Sequence, residues 1–406
     1  MNILIATEAF YPDDVGGAHI YVKHYADGLV KKGHKVWVIT IRLNENLPDS
    51  QIIDGINVCR YDSAPDGKLV FIRRPVLSIL NSLKLFKKIS GIVKFDIISC
   101  HSILPAAGIL DYAKRKHIPV VYTFHSSLFE DVKVQARKKT YALKIIKPLM
   151  LHIIKLIEGK CYGGASKIVV LSDFSRRYLS EEFKVPHEKI ANIPGGVDLT
   201  VFSPRSDKLA AREQMGLPKD RIIFLTVRRL VARMGLENLV LAMPAAVKLH
   251  KDVLLLIIGE GFLETKLREI IKKNLLAENV RLLGRKDINE VAKFMQASDV
   301  FILPSEESEW FGLVTLEAMA CGLPILATPI GGTIEILKGL NSGSLLDGTS
   351  SRDISSGMLR LIDLKYKWGE IGKRCRDYVV GNYSWEKVVT QNETLLLGEN
   401  ANEQGR

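Results

Sequence analysis

Three glutamates, Glu306, Glu307 and Glu309, crowd into a short stretch between a β-branched run ending at Pro304 and a helical run that opens at Gly312 and continues through Cys321. The first amides of that helix, Gly312 to Val314, have no partner within the helix and present positive partial charge, the environment a phosphate seeks. Glu309 precedes the helix and Glu317 lies inside it, about two turns apart. Each could accept hydrogen bonds from sugar hydroxyls on opposite sides of a diphosphate held at the helix end. On spacing alone the same two residues equally suit surface acids favoured by the helix dipole.

Metal chemistry has little support in the sequence: there is no Asp-x-Asp, no Gly-x-x-x-x-Gly-Lys-Ser/Thr loop and no His-Glu-x-x-His. The five cysteines are far apart, with no Cys-x-x-Cys pair, and read as reduced structural thiols.

These residues need a scaffold that brings strand ends together. The chain has 406 residues, enough for about two domains. With 47% apolar and 25% charged residues it reads as an ordinary globular protein. Short β-branched runs alternate with helical stretches, the pattern of parallel α/β domains. The spacing predicts strands in Asn2–Ala6, Lys35–Thr40, Phe95–Cys100, Val120–Phe124 and Ile168–Leu171. A second series follows in Arg221–Val227, Val253–Ile258, Val280–Leu283, Val300–Leu303 and Pro324–Ala327. The Pro- and Gly-bearing segment Ile193–Pro204 suits a linker. The expected domains are therefore residues 1–200 and 201–382, followed by an amphipathic helix over 383–398 capped by Ser384 and a frayed polar tail over 399–406.

The stretch around Glu309 and Glu317 resembles the Glu-x7-Glu motif of retaining family 4 glycosyltransferases. The resemblance extends over the chain: Gly16-Gly17, Gly33–Thr40, His125 after Val121–Phe124, Pro194–Asp198, Arg229-Leu230, Gly259-Glu-Gly261, Asp299–Ser305 and Gly331–Glu335. It implies a GT-B fold: two facing Rossmann-like domains with a central cleft, a donor-binding C-terminal domain, an acceptor-binding N-terminal domain and a C-terminal helix returning toward the latter. Carried over, Glu309 contacts the donor sugar's hydroxyls and Glu317 the nucleotide ribose. Gly312 and Leu313, with Phe311 and Val314 beside them, face the diphosphate, which Arg229 also binds. Gly16 and Gly17 admit the opposite backbone, His125 stands at the reaction face, and Arg285 lies near the base. The family commonly reads Arg-Leu-x-x-x-Lys-Gly, whereas this chain has Met234 in place of the lysine; a thioether carries no charge. Arg233 is expected to substitute, with Arg228 as a second candidate.

The expected activity is retaining, metal-independent hexosyl transfer from a UDP- or GDP-sugar, with no cofactor, to a polysaccharide, lipid-linked or other envelope acceptor. A phosphorylase or sugar-nucleotide epimerase shares the implied fold and remains the alternative. The formal charge of +12 is uneven: residues 1–200 carry 29 Lys and Arg against 19 Asp and Glu, and residues 201–406 carry 28 against 26. Arg73-Arg74, Lys84, Lys87-Lys88 and the stretch Lys133–Lys160 supply much of the excess, which suits an acidic membrane surface or a phosphorylated ligand; Pro148 is expected to interrupt or kink any helix there. A nucleic-acid binder is favoured by charge alone, without a supporting motif. The N-terminal residues lack a basic leader and no apolar run is long enough to span a bilayer, so a cytoplasmic protein, peripheral on the inner membrane face, is expected.

Overall fold

A computed structural model describes residues 1–13, 16–63, 70–137, 146–340 and 344–404. The chain divides into two compact units, Met1–Gly195 with Trp385–Arg406, and Gly196–Ser384. Both are α/β.

The first unit holds an eight-stranded sheet: β1 (Asn2–Ala6), β2 (Lys35–Arg42), β3 (Ser50–Ile53), β4 (Ile56–Asp62), β5 (Ile97–Cys100), β6 (Val120–Phe124), β7 (Lys167–Val170) and β8 (Ile190–Asn192). Their order is β3-β4-β2-β1-β5-β6-β7-β8, parallel except for β3 against β4. The central strand β1 has Ile3, Leu4, Ile5 and Ala6 fully buried, as expected of a parallel strand covered on both faces. The second unit holds β9 (Ile222–Val227), β10 (Val253–Ile258), β11 (Val280–Leu282), β12 (Val300–Leu303) and β13 (Ile325–Ala327), all parallel in the order β11-β10-β9-β12-β13. Its core is continuous from the sheet residues Phe224, Leu255 and Ile302 to Leu239 and Met243 of the helix Leu236–Leu249 and Met358 of the helix Ser351–Asp363.

In each sheet the strand order reverses once, between β1 and β5 and between β9 and β12. Such switch points leave a crevice beyond the carboxyl ends of the two strands, the usual ligand position in open α/β sheets.

Three strands were not anticipated. β3 and β4 form a hairpin closed by Asp54-Gly55, whose φ angles of 49° and 82° are both positive. Asp-Gly is the dipeptide preferred for a two-residue turn with both φ values positive, so this signal was present in the sequence. β8 is only three residues long, too short for periodicity to register.

The C-terminal end differs from the expectation. One helix runs Trp385–Gln404, through most of the polar tail read as frayed. Its helical hydrogen bonds need no apolar side chains, and it is anchored upstream by Val388, Val389 and Leu396, each at most 3% exposed. Pro148 sits in the first turn of Ile146–Gly164, where no intrahelical N–H is lost, and the helix before it is Leu128–Arg137. Of the basic stretch 133–160, residues 138–145 lie outside the described residues.

Candidate functional site

In the second unit the switch point is bridged by an ion pair. Arg228 leaves the carboxyl end of β9 and Glu309 lies in the loop after β12; Nη2 of the arginine donates to Oε2 of the glutamate at 2.5 Å. Both residues are 8% exposed. Ser305 Oγ also donates to Oε2, at 2.7 Å, and the Ser305 carbonyl is itself held by Thr328 Oγ1 at 2.6 Å. Burial pushes the Glu309 carboxyl up, but the Arg228 charge and the Ser305 and Arg228 hydrogen bonds, with help from Arg233, outweigh it and hold the pKa below its ordinary value. Glu309 is therefore a buried carboxylate, not a carboxylic acid.

Backbone geometry fixes both partners. A Cβ at Gly259 would lie 1.9 Å from the Arg228 carbonyl oxygen, so any side chain there would push Arg228 out of place. The Glu309 carbonyl accepts from Gly332 N–H at 2.8 Å. Arg233 Nη1 donates to Ser308 O at 3.0 Å, while the Arg233 carbonyl accepts from the amides of Glu306 and Glu307. Arg233 thus ties down the glutamate loop.

Beyond Glu309 the helix Leu313–Ala320 opens at Gly312, whose φ of 91° is left-handed and strains any residue with a Cβ. The amides of Leu313 and Val314 donate to no carbonyl among the described residues. Thr315 Oγ1, buried beside them, also has no hydrogen-bond partner there. Glu309 Oε1 takes no protein donor either, and the Cβ position at Gly312 lies 3.7 Å from it. An acceptor and several donors therefore stand together unfilled, as a ligand bearing both hydroxyls and phosphate requires.

The remaining expected residues are placed as follows. Glu317 is half-buried in the second turn of the same helix. Phe311 is 6% exposed, its ring 6.3 Å from that of Tyr383, so its side chain is committed to packing. Arg229 is exposed and follows Arg228 directly. Arg285 is exposed beyond β11, with Nη1 3.4 Å from Glu260 Oε1. Met234 is 6% exposed, and its sulfur lies against the guanidinium of Arg228, 3.2 Å from Nε.

In the first unit, His125 lies just past β6 and His101 just past β5. His101 Nδ1 and His125 Nε2 are 3.0 Å apart, and His101 Nε2 is 3.0 Å from Ser99 Oγ. The Tyr21 ring stands edge-on to His125 at 4.9 Å. Burial pushes the His125 imidazole down to about 3, with the His19 charge adding to it, and lowers His101 well below its usual value. Both rings are neutral near neutral pH; His125 can exchange a hydrogen bond with a ligand but brings no charge. Gly16, at φ 133°, caps the helix Gly17–Lys31 that begins near the same end of the sheet.

Sequence reasoning singled out neither Ser305 nor His101, and ranked Arg228 second. His101 carried a readable signal, since it follows its strand as His125 follows the next one. Arg228 and Ser305 are visible only once β9 and β12 are neighbours. Among the described residues no group of three His, Cys, Asp or Glu side chains could hold a metal ion.

Two family patterns match the chain: Glycosyltransferase Family 4 over residues 15–201 and Glycosyl transferases group 1 over residues 207–379. An uncharacterized glycosyltransferase of Methanocaldococcus jannaschii is 27% identical, covering 96% of each chain. Sucrose-phosphate synthase from Thermosynechococcus elongatus superposes with a TM-score of 0.83 at 24% identity, over 98% of this chain and 99% of that one. Anabaena HepE, solved in complex with UDP and glucose, gives a TM-score of 0.75 at 19% identity over 97% and 99%. The two patterns tile nearly the whole chain in order, the solved structures share its two-sheet architecture, and the chain belongs to glycosyltransferase family 4, as a hexosyltransferase of the GT-B fold.

Proposed function

We propose that the chain transfers a hexose from a UDP- or GDP-linked donor, with retention at the anomeric carbon, to a polysaccharide, lipid-linked or other envelope acceptor. The observation that carries this reading is the ionised, buried Glu309, whose open Oε1 stands beside the unpaired amides of Leu313 and Val314. In this reading Oε1 accepts a hydrogen bond from a donor-sugar hydroxyl and Glu317 binds the ribose. The helix amides and Arg229 meet the diphosphate, doing electrostatically what a divalent cation would do elsewhere. The acceptor oxygen bonds to the anomeric carbon as the bond to the diphosphate oxygen breaks. The acceptor's proton leaves on the departing diphosphate, on the same face. No side chain serves as a covalent nucleophile.

A thermal-shift panel of nucleotide sugars tests the reading, because a ligand of the native state raises Tm by mass action. One UDP- or GDP-sugar is expected to stabilise the chain and to be consumed only with an acceptor present. Glu309→Gln should cut kcat/KM by about 10²–10³. No stabilisation by any nucleotide sugar would sink the proposal.

A membrane-borne acceptor is favoured by one surface. On the helix Ile146–Gly164, Leu149, Ile153 and Leu156 are 62%, 47% and 60% exposed. Their spacing puts them on one helical face, and Lys155 and Lys160 lie on the same helix. No helix among the described residues is long and apolar enough to cross a membrane. We propose a cytoplasmic protein held peripherally on the inner membrane face by this surface.

A further inference from the structure

Arg228 is a buried cation whose hydrogen bonding is incomplete. A guanidinium has five N–H donors. Here Nη2 serves Glu309 Oε2, and Nε and Nη2 touch the sulfur of Met234, a weak acceptor. Among the described residues Nη1 donates to nothing. Arg228 is 8% exposed, and Nη1 is not among the fully buried atoms that lack a partner, so it keeps an open face through which an anion can answer its two donors.

We propose that Arg228 is the principal diphosphate-binding and leaving-group-stabilising cation of the donor site, with Met234 as the uncharged surface against which it rests. The inference builds on the glycosyl-transfer reading above. Arg228 is better placed than its neighbours: Arg229 is exposed, and Arg233 has Nη1 committed to Ser308 O. Glu309 fixes the guanidinium from one side and leaves Nη1 for the ligand. The same pair then reads the whole donor ester, with Oε1 on a sugar hydroxyl and Nη1 on the neighbouring phosphate.

The methionine has a physical reason in this arrangement. A lysine at position 234 would set an ammonium within a few ångströms of the guanidinium, in a buried place where like charges repel strongly. One cation fits there. In this chain it comes from position 228, and a long side chain from position 234 would reach the same space. The two positions should therefore be exchangeable as a pair.

The test uses the full chain and titration calorimetry with UDP, GDP and the parent nucleosides, alongside kcat/KM for the donor that the thermal-shift panel identifies. Arg228→Met is expected to weaken diphosphate binding at least tenfold, to leave nucleoside binding unchanged, and to lower kcat/KM by about 10²–10³. Adding Met234→Lys to that variant should recover at least a tenfold share of the loss. Unaltered diphosphate affinity in Arg228→Met, or a double variant no better than the single, would overturn the inference. If Arg228→Met alone does not fold because Glu309 loses its partner, the double variant decides. A folded double variant that binds the diphosphate supports the exchange, and one that is unfolded or does not bind refutes it. A wild-type chain that binds neither UDP nor GDP would instead refute the glycosyl-transfer reading itself.

Discussion

At the scale of single residues, burial and charge assign protonation states that spacing cannot. Glu309 and Glu158 are both buried glutamates, and they differ in one respect: Glu309 has a guanidinium at 2.5 Å and Glu158 has no ion-pair partner among the described residues. Burial raises Glu158 to about 7, although hydrogen bonds from Leu128 N–H, Ser127 Oγ and Tyr162 OH pull the other way. A carboxyl whose folded pKa lies above its unfolded value binds its proton more tightly when folded. It therefore favours the fold at low pH and costs stability as pH rises from about 4.5 to 7. A gap of that size corresponds to a cost on the order of 3 kcal/mol above pH 7. Glu158→Gln should remove this slope, so the variant should gain stability relative to wild type as pH rises from about 4.5 to 7; parallel profiles would refute the assignment. The buried histidines act oppositely. His125, lowered to about 3, favours the fold above its ordinary value of 6.5 and loses that contribution as pH falls below it.

At the scale of elements, the final helix is the clearest case of sequence neighbours separated by structure. Trp385–Gln404 packs on Gly17–Lys31: His34 Nε2 and Lys32 Nζ meet Glu393 at 2.9 and 2.8 Å, and Trp385 stacks on His24 with ring centroids 4.9 Å apart. Closest approach comes at Gly28, where a Cβ would lie 2.4 Å from Val389 Cγ2. Glycine inside a helix ordinarily costs about 1 kcal/mol relative to alanine, so close packing is the reason for its place here. Gly28→Leu should destabilise the first unit by about 1–3 kcal/mol through overpacking. Val389→Ala in the same chain should restore part of the loss, measured by denaturant melts. Purely additive effects would show that the two residues are not in contact.

At the scale of the whole molecule, the charge asymmetry and the exposed apolar stripe occur in the same unit. Many of the lysines there are already engaged: Lys155 pairs with Glu182 at 2.8 Å and Lys160 with Asp111 at 2.6 Å. Surface pairs of this kind are worth little and exchange readily, so they do not prevent attraction to an anionic surface. Cosedimentation with vesicles rich in anionic lipid should show binding that weakens between low and high salt. Replacing Leu149, Ile153 and Leu156 by serine should weaken it further at every salt concentration, since apolar insertion is unscreened. Salt-insensitive sedimentation, or none, would remove the membrane reading.

The sequence by itself determined the alternation of strands and helices, the two sheets, and the glutamate loop before a glycine-opened helix. Those features are local, set by β-branched runs, glycine and helix-capping chemistry. Only the tertiary structure decided which cation serves which acid. Arg228 and Glu309 are 81 residues apart and meet because β9 and β12 are adjacent at the switch point. The preference for Arg229 and Arg233 came from matching the chain to the family pattern, whereas the ion pair depends on which side chain turns inward at the end of β9. Likewise the sequence showed that a lysine was missing at Met234, and the fold shows the guanidinium lying against its sulfur. Long-range pairing of strands, with the burial that follows from it, fixes charge and contact in ways that no local pattern encodes.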